Sequence, residues 1–146
     1  MDLRDPLALD RVRHLFKQAA FVTDVGIELR DLGPGWVESG LVVAPRHGQA
    51  EQFIHGGVQA TMADHTAGAA AGTLAAAEEV VVTVEYKINF LKPARGTHLR
   101  CRAEFLRPGR TLIVVEAKVY TDNQTSNPVA AAMVTLAVIP DPTKRA

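Results

Sequence analysis

The feature that most constrains the fold is a long helix of small side chains that follows residue 55. Alanine dominates residues 56–78, and it has the highest helix propensity of the common residues. Two interior glycines, Gly68 and Gly72, each cost up to about 1 kcal/mol in a helix. We therefore expect one helix over residues 56–78 that is closely wrapped, with a backbone or a ligand approaching at the glycines.

The same stretch carries a carboxylate and a turn of exposed backbone donors. Asp64 lies among small neighbours on the helix surface. Gly56 and Gly57 open the helix, where amide N–H groups lack intrahelical partners and meet the positive end of the helix dipole. These amides are a candidate oxyanion site. Gly56 and Asp64 are eight residues apart, which is about 12 Å of helical rise. If both act on one carbonyl group, they must come from two copies of the chain.

Composition narrows the class of protein. The 146 residues fit a single domain, 1–146, and the 16 basic and 16 acidic residues give no net charge that would favour nucleic acid or a membrane surface. The single cysteine, Cys101, excludes an internal disulfide and suits a reducing compartment. No targeting segment or long apolar run is seen, so we expect a cytoplasmic protein.

The remaining chain predicts one short helix and six strands. Apolar residues at helical spacing indicate a helix over residues 7–19, and residues 45–55 form an irregular polar loop before the central helix. Residues 80–90 alternate apolar and polar side chains, a pattern typical of a strand. The other predicted strands cover residues 22–32, 36–44, 97–106, 111–121 and 129–139, with a turn over 122–128 and a tail over 140–146. The order predicts an α+β fold in which one antiparallel sheet, its last four strands in succession, curls around one helix.

The joint spacing of several motifs resembles the PaaI-like acyl-CoA thioesterases of the hotdog-fold superfamily. These motifs are Gln49, the sequence His55-Gly56-Gly57, the helical Asp64, the strand ending in residues 89–96 and the Gly109-Arg110 turn. The resemblance covers residues 7–139. It implies a homodimer with a continuous sheet, often paired again into a tetramer, whose active sites lie at the dimer interface.

The resemblance also implies roles for particular residues. Asp64 takes the position of the general base or nucleophile, and the Gly56 N–H that of the oxyanion donor. Gln49 takes the position of the polar residue that orients the thioester or water, although Glu51 and Gln52 compete with it. Thr83 is the candidate for an assisting hydroxyl. We interpret His55, a further catalytic candidate, as more often a buttress of the turn than a proton carrier.

The substrate would be held by further groups near these motifs. Coenzyme A phosphates need cations, and basic side chains occur at strand ends and turns. The candidates for substrate or CoA binding are Gly57, Asn89, Lys92, Arg95, Arg107 and Arg110. We expect no metal and no cofactor, because His47, His55 and His65 lack a ligand spacing. We expect His65 to pack or to reach a neighbouring chain.

Two other functions remain open at this point. A hotdog dehydratase or hydratase of 3-hydroxyacyl thioesters would use a histidine and an acid, which His55 and Asp64 supply, but its usual His-Phe-Pro-Gly loop is absent. A non-catalytic acyl-CoA binder would not need Asp64, whose desolvation costs free energy. For a thioesterase, the acyl pocket would be lined by the 45–55 loop, the first helix and the partner chain, which leaves open an aryl or a medium-chain acyl group. Attack by water or by the carboxylate itself also stays open.

Overall fold

A six-stranded antiparallel sheet packs against one long helix in the computed structural model, which describes residues 1–122 and 125–144. This arrangement is the predicted α+β hotdog fold. The elements in chain order are α1 (Ala8–Gln18), α2 (Ala20–Val25), β1 (Ile27–Gly33), β2 (Trp36–Val42), α3 (Gly56–Gly72), β3 (Glu79–Phe90), β4 (His98–Arg107), β5 (Leu112–Thr121) and β6 (Ala130–Pro140). Short 3₁₀ turns occur at Pro45–His47 and Pro142–Lys144.

The sheet order is β1-β2-β4-β5-β6-β3, which places β3 at one edge. The prediction that β3 to β6 pair in succession is therefore wrong for β3, which pairs with β6 instead of β4. After β3 the chain crosses the end of the sheet, where the Ala94 carbonyl accepts the Ile54 N–H and the Thr97 carbonyl accepts the Val43 N–H. These bonds deliver β4 to the side of β2, and they leave one side of β3 without a neighbour in the described chain.

The small side chains of α3 let the sheet approach the helix closely. Met62, Ala63, Ala67, Ala70 and Ala71 are all buried, and they lie on one face of α3 at helical spacing. This face packs against the apolar side of β2, β4 and β5, where the Cys101 thiol is fully buried and its pKa is raised by burial to about 12. Cys101 is therefore an inert core residue.

One polar pair lies inside this core. The Ser39 and Thr66 hydroxyls are 2.7 Å apart, and the Thr66 hydroxyl also donates to the Met62 carbonyl. Both side chains are fully buried, so these bonds satisfy groups that would otherwise be costly inside the protein. The pair fixes the position of α3 relative to β2.

Two predicted boundaries are wrong, the start of the first strand and the end of the central helix, and hydrogen bonds at a helix C-terminus set both of them. Residues 22–25, expected to begin a strand, belong to α2, because Gly26 adopts a left-handed conformation with φ 97° and donates its N–H to Val22 and Thr23. The central helix ends at Gly72 and not near residue 78. There the Thr73 hydroxyl donates to the Ala70 carbonyl and accepts the Gly35 N–H from the β1–β2 turn.

Residues 141–144 return to the segment between α3 and β3, where the Asp141 N–H donates to the Glu78 carbonyl. Beyond Pro140, the Lys144 ammonium donates to the Ala77 carbonyl. In the predicted turn and tail, residues 123, 124, 145 and 146 lie outside the described residues. Among the described helices, none combines the length and apolar character needed to span a membrane.

Candidate active site

Asp64 and Thr83 come together in the folded chain. Asp64 lies in the middle of α3, half-buried, and Thr83 lies on the neighbouring edge strand β3. The Thr83 hydroxyl donates to the Asp64 Oδ1 atom at 2.7 Å. This bond fixes the orientation of the carboxylate and leaves the Oδ2 atom for other contacts.

The two glycines at the start of α3 differ in their amide partners. The Gly57 N–H donates to the His55 Nδ1 atom at 2.8 Å, so His55 acts as the N-cap of the helix. In the described part of the chain, the Gly56 N–H donates no hydrogen bond. Gly56 therefore supplies the open backbone donor, and the His55 ring, with Nδ1 as acceptor, carries its proton on Nε2.

The donor and the carboxylate stay apart within one chain, at about 12 Å of helical rise. The edge strand β3 runs past both groups, so one strand contacts the start and the middle of α3. A Cβ atom built on Gly56 would lie 3.0 Å from the Phe90 ring, whereas Thr83 reaches Asp64. Strand β3 therefore runs antiparallel to α3, with its Phe90 end over the open amide and its Thr83 part over the acid.

A cavity of about 640 Å³ opens beside Asp64. It lies between α1, α3 and β3 and is largely apolar; we call it the Asp64 cavity. Residues Val12, Leu15, Phe16, Asp64, His65, Gly68, Ala69, Gly72, Ala75, Val81, Thr83 and Leu136 line it, with charged groups at its far end. Its volume is typical of small-ligand sites.

His65 lies in the wall of this cavity. Its ring meets the Phe16 ring edge-on, with centroids 4.4 Å apart. Burial lowers the pKa of His65, and the Asp64 charge and a hydrogen bond to the Phe16 backbone partly oppose this. The prediction that His65 packs is confirmed, since it packs on α1 of the same chain.

Gln49 and Arg95 share a second, more polar cavity of about 610 Å³. The side chain of Gln49 is exposed, and the Arg95 guanidinium stacks 4.4 Å above the Phe53 ring. His47 in the same loop is buried, accepts the Ala44 N–H at Nδ1 and bonds the Val25 carbonyl through Nε2. His47 therefore holds the loop in place. In the described ranges, no group of histidine, cysteine and acidic residues has a metal-binding arrangement.

The predicted CoA-binding cations lie towards opposite ends of the sheet in one chain. Lys92 and Arg95 follow the end of β3. Arg107 is the last residue of the interior strand β4 and Arg110 lies in the β4–β5 turn, from which its charge acts on Glu79 at the start of β3. The length of β3 separates these ends by about 36 Å. Asn89 is exposed on β3, in register with Ala131.

The sequence predicted that the first helix lines the acyl pocket, and α1 closes the Asp64 cavity with Val12 and Phe16. Sequence reasoning assigned these two residues only to an apolar face, because periodicity identifies such a face without its packing partner. The loop over residues 45–55, expected in the same pocket, lines the second cavity instead.

The hotdog fold and the acid on the central helix define a class of thioester-handling enzymes, and the comparisons with known proteins identify the family. Residues 51–127 match the thioesterase superfamily model. A putative esterase from Haemophilus influenzae is 31% identical over 115 residues, covering 78% of this chain and 82% of the relative. The chain belongs to the thioesterase superfamily and is a thioester hydrolase.

Solved structures agree with this assignment. A thioesterase family protein from Silicibacter pomeroyi superposes with a TM-score of 0.87 at 33% identity, covering 92% of this chain and 99% of that one. A Bacillus halodurans protein solved with CoA superposes with a TM-score of 0.75 at 27% identity, covering 92% of this chain and 90% of that one. The resemblance found in the sequence is confirmed.

The environment of His65 predicts a pH-dependent stability. Because its pKa is lowered in the folded protein, the unfolded chain binds the proton first as the pH falls through about 6.5. The free energy of unfolding should therefore decrease between about pH 7.5 and 5.5, above the range where most carboxylates titrate. Urea unfolding of the His65→Phe variant should show less of this decrease, whereas the exposed-site control His14→Gln should keep the wild-type slope. Equal slopes for wild type and His65→Phe would contradict this interpretation.

Proposed function

We propose that the protein is an acyl-CoA thioesterase that acts as a homodimer, with each active site formed by Asp64 of one subunit and the Gly56 N–H of the other. The observation that carries the proposal is the Asp64 carboxylate, which Thr83 orients beside an apolar cavity. The open Gly56 amide on the same helix supplies the second part of the site. The two parts face the same edge strand, so a second copy at that edge can combine them.

The exposed edge of β3 supports a dimer. Val82, Val84 and Tyr86 are 43%, 58% and 46% exposed on a strand that has one neighbour among the described strands. A long apolar edge strand tends to pair with another chain unless it is covered. Pairing of two β3 strands would extend the sheet across the dimer and bond the free backbone groups of both edges.

The direction of β3 determines what such a pairing brings together. Two copies of one strand related by a twofold axis pair antiparallel, so each end of one strand meets the opposite end of the other. The Thr83 part of one β3 then lies towards the Phe90 end of its partner. Since Thr83 lies over Asp64 and Phe90 over Gly56, the acid of one subunit approaches the open amide of the other.

The chemistry of thioester hydrolysis suits this arrangement. Attack on the thioester carbonyl places negative charge on its oxygen, which the fixed Gly56 N–H stabilises without reorganisation. Thr83 holds the Oδ1 atom of Asp64, and the Oδ2 atom activates water or attacks the carbonyl itself. The leaving thiol has a pKa near 8.5, so it departs as a thiolate without a strong acid.

The position of the basic residues supports coenzyme A as the leaving group. In the antiparallel dimer, the start of one β3, on which the Arg110 charge acts, comes towards Lys92 and Arg95 of the other subunit. Arg107 lies further into the sheet, on β4, at the same end. Gln49 lies in the cavity that Arg95 borders, where it would orient the thioester or water. The CoA-bound relative from Bacillus halodurans is consistent with this choice of ligand.

Replacing Asp64 by asparagine tests the role of the acid. We expect Asp64→Asn to lower thiol release from acyl-CoA by about 10² to 10⁴-fold, because the amide is neither a base nor a nucleophile. The fold should persist, since Thr83 can still donate to the amide oxygen. The exposed control Asp10→Asn should keep wild-type turnover. Unchanged hydrolysis by Asp64→Asn, or no hydrolysis of any acyl-CoA by the wild type, would overturn the proposal.

Two substitutions of Gly56 distinguish the loss of its N–H group from the steric effect of an added side chain. Proline is tolerated at the first helical position and removes the N–H, and His55, with φ −60° and ψ 137°, already has a conformation that proline accepts after it. Gly56→Pro should therefore lower kcat by about 10² to 10³-fold. Gly56→Ala adds a comparable Cβ contact with the exposed Phe90 ring but keeps the N–H, so its loss should be much smaller. Equal losses in kcat would exclude the amide as the oxyanion donor.

A further inference from the structure

We propose that the Asp64 cavity is a channel for straight-chain aliphatic acyl groups, and that Gly68 and Gly72 determine the length of chain it accepts. This inference rests on the proposed thioesterase function and specifies its substrate class. It assigns the acyl group to the subunit that supplies Asp64.

The lining of the cavity gives the channel its direction. Asp64, Gly68 and Gly72 all line it and follow one another at intervals of four residues on α3. They therefore lie on one face of the helix, about 6 Å apart per step and about 12 Å from first to last. Ala75 continues this line beyond the helix end. An extended hydrocarbon advances about 1.25 Å per carbon, so roughly ten carbons fit between Asp64 and Gly72.

Neither glycine is required by the backbone or by packing within the chain. Both have negative φ angles. A Cβ atom on Gly68 would lie 3.7 Å from the Leu136 side chain, and one on Gly72 would lie 3.4 Å from the Val12 side chain. Because these are ordinary contacts with side chains, a close backbone approach is not the reason for the glycines. Although each glycine lowers the stability of the helix, it leaves open space above the helix next to the acid.

The walls and the far end of the channel indicate an apolar chain that ends in a methyl group. Leu15 and Phe16 of α1 line the cavity together with the two glycines. At the far end, the Arg11 guanidinium is bound to the Ala75 and Ala76 carbonyls and to Asp5. Lys144 is likewise engaged with Ala77 and Glu78, so a terminal carboxylate would have to compete for both cations.

An aryl group would use this shape poorly. A single ring attached near the carbonyl would fill about the first turn between Asp64 and Gly68 and leave the Gly72 end empty. A linear chain instead contacts both glycines and α1 along its length. Each buried methylene of such a chain strengthens binding about fourfold.

The test compares substrates of three chain lengths in variants that block the cavity at two depths. Thiol release is measured with butanoyl-, octanoyl- and dodecanoyl-CoA for wild type, Gly72→Leu and Gly68→Leu. Gly72→Leu should lower kcat/KM for dodecanoyl-CoA at least about tenfold and keep butanoyl-CoA within about twofold, because the leucine blocks only the distant end. Gly68→Leu should lower kcat/KM for octanoyl-CoA as well.

Controls separate chain length from folding. Ala20→Leu adds a leucine of the same size on the exposed surface of α2, outside the cavity, and should keep the wild-type profile for all three substrates. Wild type should also cleave dodecanoyl-CoA at least about tenfold better than the corresponding ω-carboxyl thioester, which places a charge among engaged ion pairs.

The outcomes distinguish this inference from the function on which it rests. The proposed acyl channel is overturned if both leucine variants keep the wild-type chain-length profile, or if they lose activity in parallel on all three substrates. It is also overturned if wild type prefers aryl-CoA. In each of these cases the thioesterase proposal stands. If wild type cleaves no acyl-CoA of any kind, the proposed function itself fails.

Discussion

The hydrogen bond between Thr83 and Asp64 is the interaction on which the proposed site depends, because it joins the edge of the sheet to the middle of the central helix. It fixes the acid at the level of an exposed, apolar strand. Since β3 is displaced from β4 to the sheet edge, the acid lies where a second copy of the chain can reach it. The topology therefore determines which residues can form a site together.

Helix α3 combines two surfaces that impose different demands. One face, with Met62 and Ala67, is buried against the sheet and is held by the Ser39–Thr66 pair. The adjoining face, with Asp64 and Gly68, stays open towards α1. Small residues serve both faces for different reasons: they permit close packing on the first and leave volume on the second. A rigid helix between these surfaces keeps the acid in a fixed position relative to the cavity.

The sequence predicted the class of fold and the identity of the family from local signals. The run of small residues after Gly56 indicated the central helix, and period-two alternation indicated β3. Tertiary contacts determined the rest. The alternation of side chains does not determine which strand lies beside β3. The end of α3 depends on the contact of Thr73 with the β1–β2 turn. The short helix α2 before Gly26 was taken for a strand because it contains β-branched residues. The first helix was expected at the acyl pocket, but which of its residues line the Asp64 cavity depends on how α1 lies across α3. The separation of Gly56 and Asp64 was predictable because it follows from helix geometry alone.

Complementation between inactive subunits tests most directly whether the site is shared. Asp64→Asn and Gly56→Pro chains carrying different tags would be co-expressed, and the mixed dimer purified through both tags. In a shared site, one of its two sites has both defects and the other has neither, so the mixed dimer should recover about half of the wild-type thioesterase activity. If the acid and the amide acted within one chain, every site would carry one defect, and a mixed dimer no more active than its parents would contradict the account.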